Sequence, residues 1–520
     1  MNESDDNQPE SLEYAVTSKQ VGILCLSILV VALCGIAYEL IIGSVSSYLL
    51  GNSVYQFSIT IGLFMFAMGI GSYLSRFINR NLVQAFVVVE ILIALIGGVC
   101  SLLLFLVFSH VPNLYQVFMY GMILTIGTMV GIEIPLLTRI LTTRRKFKDA
   151  LAEVFSLDYL GALIGSLLFP LVLLPHLGLV RSSFAIGLLN IAVAIVNVWL
   201  FRHYWKRPIF ILLSSILVLM GLIVALVAGS YLSRFVEQQL YFDNIVYEHQ
   251  SPYQRVILTK SSQNQEHRLY IDGHIQFAER DEHRYHEALV HPVMSLQGPA
   301  KRILILGGGD GMAAREIFKW QGVEHIDLVD IDPEITKVCS EVEAIARLNR
   351  HSFDDPRLHL HHTDAFNYVR EIREPYDRII IDLPDPHNEV LNKLYSREFY
   401  RMLRGALKPD GGLVSQCSSP FATRRVYWCI ATTMEAAGWT TTSYHTATPS
   451  FGVWGFHLAR PSTSPPDQNW RPYPEGMNYL TKEVFTASQV FAKDIARLDV
   501  PVNTMLEPHL YQLYNQEVHG

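Results

Sequence analysis

Apolar stretches, each about 20 residues long and so long enough to cross a bilayer as a helix, recur along the first part of this chain. Beyond Ser233 the sequence is mixed, charged and rich in turn residues. The contrast predicts a multi-pass α-helical membrane domain followed by a soluble domain. About seven spans are expected, near residues 21–42, 55–75, 82–108, 114–138, 157–177, 182–201 and 209–232.

Composition and charge narrow the functional classes. With 50% hydrophobic and 17% charged residues, the chain is too apolar for an ordinary soluble enzyme and too charged for a pure transporter. The net charge of -7, without a basic stripe, argues against nucleic-acid binding. The six cysteines are scattered, with no Cys-x-x-Cys spacing, so we predict neither a disulfide framework nor a metal site.

With Arg181 as the exception, the basic residues between the spans lie in alternate connections, which predicts an N-terminus in the cytoplasm. The acidic tail, residues 1–20, lacks the basic start of a cleaved signal peptide, so the first span is expected to be retained. Seven spans would then leave the soluble domain outside the cell. The basic residues concerned are Arg76, Arg80, Arg144, Arg145, Lys146, Lys148, Arg202, Lys206 and Arg207.

Four acids lie within or near the ends of the apolar spans, with no basic residue at comparable depth: Glu39, Glu90, Glu133 and Asp158. Acids in a membrane interior are costly, and they mark functional positions by default. Two interpretations stay open. Each acid could sit near an interface or bond a neighbouring helix, or the acids could form a path or sensor site for an organic cation.

The soluble half divides into a small β subdomain over residues 233–297, an α/β domain over 298–465 and a C-terminal tail over 466–520. Short strand-like runs with an Asp-Gly turn fill the first part. From Arg302 strands and helices alternate, which predicts a parallel, doubly wound sheet with ligands at the carboxyl ends of its strands.

A glycine turn carrying a carboxylate ends the first of these strands, in Ile303–Gly311. Such a turn lets the backbone approach a nucleotide. Asp310 in that turn would repel a phosphate or an amino-acid carboxylate but attract an ammonium. The sequence therefore predicts a nucleoside ligand with a cationic tail.

Two further acidic positions follow the next strands. Asp330, about twenty residues after the turn, is placed to bind ribose hydroxyls. Met312 replaces the third glycine of a dinucleotide fingerprint, which disfavours a dinucleotide. Asp364, with Ala365, fits either an adenine amino group or a helix cap.

The pair Asp382 and Asp385 follows the strand that begins near Arg378. An amine nucleophile must lose a proton before it attacks, and a carboxylate can hold the ammonium and accept that proton. With Asp310, these residues predict an acidic pocket suited to a polyamine. The alternative is an Asp-Pro turn on the surface.

Taken in order, the soluble half resembles the polyamine aminopropyltransferase (spermidine synthase) family over about residues 245–460, and the helical half resembles its membrane-fused branch. The matching segments are Tyr253-Gln254, Leu269–Gln276, Asp281–Glu287, Gly307–Gly311, Asp330–Asp332, Asp364-Ala365, Asp382–Pro386 and Leu394–Tyr400. The resemblance implies a Rossmann-like, class I methyltransferase-like domain. It also implies transfer of an aminopropyl group from decarboxylated S-adenosylmethionine, a cosubstrate, to a diamine, normally putrescine, with no cofactor.

The resemblance also implies roles for individual residues. Asp382 would be the general base, and Asp310 would hold the donor's ammonium. Asp330 would bind the ribose. The remaining positions would bind adenine (Asp364, Ala365), the nucleoside or thioether (Gln254) and the polyamine (Tyr285, His286, Asp385, Gln276).

Two departures from the family pattern concern the substrate pocket. The stretch after Asp385 is Pro386–Glu389, where many soluble members carry Gly-Pro, and Pro449 stands at a position that is tyrosine in many members. The acceptor is therefore left open. Two other functions also stay open: a small-amine methyltransferase, and a polyamine transporter or sensor whose soluble domain only binds.

The expected location is the inner cell membrane, with the catalytic domain in the cytoplasm because a nucleoside cosubstrate is found there. That placement requires one re-entrant span or a count other than seven. A homo-oligomer is compatible with the sequence, which does not determine the oligomeric state.

Overall fold

The computed structural model describes residues 17–51, 53–202, 208–251, 253–387, 389–462 and 470–519. The chain forms two compact units, Met1–Phe242 and Asp243–Gly520. The boundary lies ten residues beyond the one expected at Ser233. Most of the acidic tail, Lys206 and Arg207, and the start of the C-terminal tail lie outside the described residues.

The first unit is helical. Six continuous stretches of its described residues are long and apolar enough to cross a membrane, by length and composition alone. The helices are α1 (Ser18–Leu50), α2 (Ser53–Leu74), α3 (Leu82–His110), α4 (Tyr115–Leu141), α5 (Phe147–Leu168), α6 (Leu174–Leu200), α7 (Pro208–Val227) and α8 (Gly229–Gln238).

The fifth stretch, 147–200, joins α5, a π-helical turn and α6, but it is interrupted at Gly178, whose φ of 70° and ψ of -176° are not helical. Contacts with α1 show that the chain reverses there. Gly161 and Gly165 of α5 lie against Leu29 and Leu33, in the same chain direction as α1. Along α6 the order is opposite, because Ile186 contacts Cys34 and Asn197 contacts Ser27. The stretch is therefore two antiparallel helices, and the unit contains seven helices of spanning length among the described residues.

Glycines allow the closest helix packing in this unit. A Cβ on Gly71 would lie 2.0 Å from the carbonyl oxygen of Thr128, and one on Gly131 would lie 2.1 Å from that of Met68. The backbones of α2 and α4 are thus in direct contact, which is how small residues act between apolar helices.

The second unit begins with a four-stranded antiparallel sheet in the order β1-β2-β3-β4. The turn between β3 and β4 contains the predicted Asp272-Gly273 pair, with both residues at positive φ. The strands are β1 (Asn244–Gln250), β2 (Arg255–Lys260), β3 (His267–Ile271) and β4 (His274–Ala278).

A seven-stranded sheet forms the centre of this unit, in the order β10-β11-β9-β8-β5-β6-β7. β5 to β9 are parallel, but β11 is antiparallel to β9 and β10 is antiparallel to β11. The prediction of a parallel sheet was therefore wrong at one edge, where a tight turn joins β10 to β11 without a crossover helix. The strands are β5 (Arg302–Gly307), β6 (His325–Asp330), β7 (Leu358–His362), β8 (Tyr376–Asp382), β9 (Leu407–Gln416), β10 (Trp439–Thr448) and β11 (Gly452–Pro461).

Helices cover the large sheet, and the apolar residues of the central strands are fully buried between them. The segment 333–348 forms two helices, because Val342 adopts an extended conformation between them. The helices are α9 (Glu282–Met294), α10 (Met312–Phe318), α11 (Pro333–Glu341), α12 (Glu343–Leu348), α13 (Ala365–Glu371), α14 (Glu389–Asn392), α15 (Arg397–Gly405), α16 (Arg424–Ala436), α17 (Lys482–Ala487) and α18 (His509–His519).

Candidate active site

The site lies at the carboxyl edge of the central strands. β5 lies between β6 and β8, and Gly307 at the end of β5 pairs with Asp382 at the end of β8. Asp330 is the last residue of β6. Because parallel strands end at one edge of a sheet, the acids after these three strands converge there.

The glycine turn after β5 fits only because side chains are absent. A Cβ on Gly307, at φ 80°, would lie 2.1 Å from the carbonyl oxygen of Asp382, and one on Gly309 would lie 2.5 Å from the carboxylate of Asp330. These two glycines let the turn pass between the neighbouring strand ends. Asp310 then accepts a 2.9 Å hydrogen bond from the backbone N–H of Met312.

Asp382 is held by Tyr285 of α9, whose hydroxyl donates a 2.5 Å hydrogen bond to Oδ1. Burial, with repulsion from Asp310, raises the pKa of Asp382 to about 6, although His286 and the Tyr285 hydroxyl act in the opposite direction. Such a carboxylate is ionised at neutral pH yet accepts a proton more readily than an exposed aspartate does.

A buried ionic chain supports Asp310. His286 Nε2 lies 3.5 Å from Asp310 Oδ2, and His286 Nδ1 lies 2.8 Å from Glu282 Oε2. Arg315 in turn holds both oxygens of Glu282 with two 2.8 Å hydrogen bonds. Burial alone would lower the pKa of His286, but Asp310 and Glu282 raise it to about 10. His286 is therefore a cation at neutral pH.

The ligand atoms of His286, Asp310 and Asp382 lie within 4.8 Å of one another, a grouping that could hold a metal ion or another cation. A metal ligand must be a neutral imidazole with a free nitrogen. The raised pKa of His286 leaves a proton on both ring nitrogens. The electrostatics therefore favour an organic ammonium beside the two carboxylates.

Asp385, three residues beyond Asp382, supplies a further carboxylate. Its Oδ2 accepts a 3.0 Å hydrogen bond from the Ser418 hydroxyl, whereas its buried Oδ1 has no partner among the described residues. Burial raises the pKa of Asp385 to about 6. A buried carboxylate oxygen without a donor is a position where an ammonium would be stabilised.

Aromatic rings line the site on the side of Tyr285. Its ring lies 5.9 Å from Phe451 and 5.3 Å from Phe456, and Phe451 lies 5.0 Å from Trp454. The turn that carries Phe451 is tied to the start of α9, because Ser450 donates two hydrogen bonds to Asp281. The turn that carries Phe451 also contains Pro449.

Two further predicted residues, Asp330 and Gln254, are connected through Asp332. Burial raises the pKa of Asp330 to about 6, and its Oδ1 accepts a 2.9 Å hydrogen bond from Asp332 N–H. The backbone carbonyl of Gln254 accepts from Ser251, whose hydroxyl donates to Asp332. The segment of Gln254 is thus anchored close to Asp330.

The remaining predicted site residues, Asp364, Ala365 and Gln276, contact neighbouring protein groups. Asp364 caps α13 by accepting from Asn367 N–H, and it pairs with Lys393 at 2.7 Å. The structure thus shows the capping role, and an adenine contact stays a prediction. Ala365 is buried beside it. Gln276 donates to the carbonyl of His274 in its own hairpin.

Sequence reasoning missed three supports of the site: the Glu282–Arg315 pair, Ser418 and Gln416. Gln416 donates to the Leu383 carbonyl and to the Tyr395 hydroxyl, and it accepts from Trp454 Nε1. It therefore fixes the loop between Asp382 and Asp385. Gln416 is the last residue of β9, the strand next to β8 at the acidic edge. A polar residue at the end of this strand is the sequence signal that could have identified it as a support of the site.

Comparisons with known proteins agree with this geometry. Residues 282–468 match the family model described as the spermine/spermidine synthase domain. The chain is 41% identical over 516 residues to polyamine aminopropyltransferase 2 of Ralstonia nicotianae, covering 96% of this chain and 98% of the relative. It is 38% identical over 494 residues to the polyamine aminopropyltransferase of Leptospira interrogans, covering 95% and 98% respectively.

Among solved structures, a spermidine synthase in complex with the transition-state analogue AdoDATO is 27% identical, with a TM-score of 0.44 over 48% of this chain and 85% of that chain. The sequence relatives carry the assignment, because their similarity extends through both the helical and the α/β units. The chain therefore belongs to the polyamine aminopropyltransferase family and is a transferase.

Proposed function

We propose that this protein is a membrane-bound enzyme that transfers the aminopropyl group of decarboxylated S-adenosylmethionine to putrescine, giving spermidine and 5′-methylthioadenosine. The observation that carries the proposal is the partly buried set of Asp310, Asp382 and Asp385, in which Asp382 accepts from Tyr285 and one oxygen of Asp385 has no donor among the described residues. Such a set stabilises ammonium groups at more than one point.

Asp310 selects the donor. The intact methyl donor carries a carboxylate beside its ammonium, and that carboxylate would be repelled by Asp310. A decarboxylated donor presents only the cation. Asp330 binds the ribose hydroxyls, with Gln254, Asp364 and Ala365 around the nucleoside and the adenine.

The acceptor amine binds between Asp382 and Asp385 and loses a proton to Asp382. Its nitrogen then forms a bond to the aminopropyl carbon beside the sulfonium, while the bond from that carbon to sulfur breaks. The electron pair of the broken bond stays on sulfur, so the neutral thioether leaves. Positioning of the two reactants and stabilisation of the ammonium by carboxylates supply most of the rate enhancement.

The helical unit anchors the enzyme in the inner cell membrane. Large apolar side chains remain exposed on its outer helices, including Phe66 of α2, Leu163 of α5 and Phe210 of α7. An exposed apolar surface of this extent suits contact with lipid.

We place the catalytic unit in the cytoplasm, where the nucleoside donor is made. Seven spanning helices and the pattern of basic residues would place it outside. A cysteine introduced by Glu324→Cys, at a side chain that is 64% exposed, tests the assignment, because five of the six native cysteines are buried and Cys25 is partly buried. Labelling of this cysteine in intact cells by a membrane-impermeant maleimide would overturn the cytoplasmic placement.

The reaction is tested by the mass of the product. The full chain, purified in detergent, is incubated with either the decarboxylated or the intact donor and with a panel of diamines of different length. We expect a mass increase of one aminopropyl group, only with the decarboxylated donor and most rapidly with putrescine. Methyl transfer from the intact donor would identify the protein as a small-amine methyltransferase instead. Faster turnover of a longer diamine than of putrescine would identify that diamine as the acceptor.

A further inference from the structure

The interior of the helical unit contains two acids that the proposed reaction does not use. Glu90 of α3 and Glu133 of α4 are both 0% exposed. None of their four carboxylate oxygens has a donor among the described residues. The two carboxyl groups nevertheless lie close enough to interact electrostatically with each other, and Asp158 of α5 adds a further negative charge near Glu133.

Two adjacent buried carboxylates repel each other strongly, so they do not both stay ionised without a cation. A carboxylate has no donor, which means that a hydrogen bond between them requires one proton. No Lys, Arg or His in the described part of the chain forms an ion pair with Glu90 or Glu133. The pair therefore has no compensating positive charge among the described residues.

A hydroxyl faces the same interior. Tyr38 of α1 is 0% exposed, its Oη has no hydrogen-bond partner among the described residues, and it interacts electrostatically with both Glu90 and Glu133. Its ring lies against Gly97 of α3, where a Cβ would come within 2.6 Å. A buried hydroxyl without a partner points to a missing ligand.

α1 makes buried polar contacts on either side of Tyr38. Toward its start, Ser27 accepts a 2.9 Å hydrogen bond from Asn197 of α6. Toward its end, Ser46 lies 3.2 Å from the hydroxyl of Tyr115 on α4. The nineteen steps from Ser27 to Ser46 rise about 28 Å, close to the thickness of a bilayer core. Tyr38 therefore lies in the middle part of a helix of spanning length.

We propose that Glu90, Glu133 and Tyr38 form a binding site for the primary ammonium end of a polyamine, which displaces the proton shared by the two acids. The chemistry parallels that of the catalytic site, which also combines two carboxylates with a tyrosine hydroxyl. An ammonium has three donors, enough for both carboxylates and the hydroxyl. That the cation is a polyamine rests on the proposed function.

The test measures binding of radiolabelled spermidine to the full chain in detergent, with the catalytic site disabled by Asp310→Asn and Asp382→Asn. We expect about one spermidine per chain to remain bound. Adding Glu90→Gln and Glu133→Gln should weaken that binding about 30-fold or more, because both carboxylate partners of the ammonium are lost. Glu153→Gln is the matched control, since Glu153 is an acid of the same unit that already pairs with Arg145 at 3.6 Å.

Tyr38→Phe keeps both acids and provides a second variant if the double glutamine variant does not fold. It should weaken spermidine binding about 10-fold or more, as expected for one hydrogen bond to a charged group. Calorimetry in two buffers of different ionisation enthalpy should show release of about one proton per ammonium bound, because the shared proton is displaced.

Several results would overturn the site. Absence of spermidine binding in the catalytically disabled chain would leave the acids as a neutral, proton-sharing pair. Displacement of spermidine by sodium but not by potassium, at equal ionic strength, would make it a metal-ion site. Turnover of the unmodified chain is measured separately, so loss of the proposed reaction with retained binding refutes only the enzymatic proposal.

Discussion

Each unit of this chain buries acids beside a tyrosine hydroxyl, but the two sets differ in what surrounds them. At the sheet edge, Asp382 accepts from Tyr285, and Asp310 lies beside the cation of His286, which Glu282 and Arg315 hold in place. In the helical unit, Glu90, Glu133 and Tyr38 have no partner among the described residues.

The difference shows how each site meets the free-energy cost of burying charge. In the α/β unit, a chain of alternating charges runs from Arg315 through Glu282 and His286 to Asp310 before any substrate arrives, and an arrangement that is organised in advance contributes to positioning and catalysis. In the helical unit, no Lys, Arg or His among the described residues pairs with Glu90 or Glu133, so these acids depend on a proton or a ligand. The first arrangement suits chemistry on a bound amine, and the second suits exchange of one cation for another.

The largest effect is expected for Asp382→Asn, which should lower kcat by about 10²- to 10⁴-fold. The amide keeps the shape and the hydrogen bond to Tyr285 but does not accept the proton. Turnover is measured with the decarboxylated donor, and binding of 5′-methylthioadenosine should be retained. Glu324→Gln, an exposed acid, is the control. If Asp382→Asn kept more than a tenth of the activity, Asp382 would not be the base.

Asp310→Asn should come next, and it tests whether the supported acid acts on the ligand's charge. Loss of the partner of a buried ammonium should weaken the decarboxylated donor by about 2–5 kcal/mol. The neutral product 5′-methylthioadenosine, which lacks the ammonium, should bind almost as before. Both affinities are measured by calorimetry. Equal losses for the two ligands would show that Asp310 only shapes the glycine turn.

Asp385→Asn tests how much free energy of unfolding is lost by keeping the Asp385 carboxylate ionised with only one of its oxygens hydrogen-bonded. The substitution should stabilise the protein at alkaline pH. Burial raises the pKa of Asp385 to about 6, so the folded state binds its proton more tightly than the unfolded chain, where the pKa is about 3.9. The resulting penalty is absent below pH 4 and complete above pH 6, where it amounts to about 1–3 kcal/mol.

The thermal midpoint is the measurement for this variant. It should rise by a few degrees at pH 8, while at pH 4 the two proteins should unfold at the same temperature. Equal midpoints at pH 8 would indicate that Ser418 and Gln416 already compensate the charge of Asp385.

The acids of the catalytic edge could be predicted because each follows a strand, and strand ends in a parallel sheet meet at one edge. That reasoning brought together Asp310, Asp330 and Asp382, and the Tyr285–His286 segment followed from the family resemblance. The same reasoning did not predict the residues that hold these acids in place. Glu282 and Arg315 are 33 residues apart, and nothing local in the sequence connects them.

Two features of the fold depended on geometry that residue patterns do not encode. The antiparallel edge of β10 and β11 arises from a short turn, whereas alternation of strands and helices predicts only crossovers. At Gly178 a continuous apolar stretch reverses direction through a single residue. In the helical unit, hydropathy marked Glu90 and Glu133 as candidates, but only the packing of α3 against α4 shows that they are neighbours.

The smallest effect is expected for Tyr285→Phe, seen in the pH dependence of kcat/KM. Activity should rise with pH, because Asp382 must be ionised and the acceptor amine neutral. The Tyr285 hydroxyl lowers the pKa of Asp382, which lies at about 6 with the hydroxyl present. Its removal should therefore move the acidic limb upward, by about 0.5 to 1 pH unit for the loss of one hydrogen bond.

Tyr368→Phe is the matched control for this shift, because its hydroxyl bonds Tyr376 rather than a catalytic acid. It should leave the acidic limb unchanged. A downward or absent shift in Tyr285→Phe would mean that this hydroxyl does not stabilise the ionised form of Asp382. The proposed contrast would then not hold for the catalytic site. Tyr285 would stabilise the ionised form of its acid no more than the Tyr38 hydroxyl stabilises Glu90 and Glu133 in the unliganded helical unit.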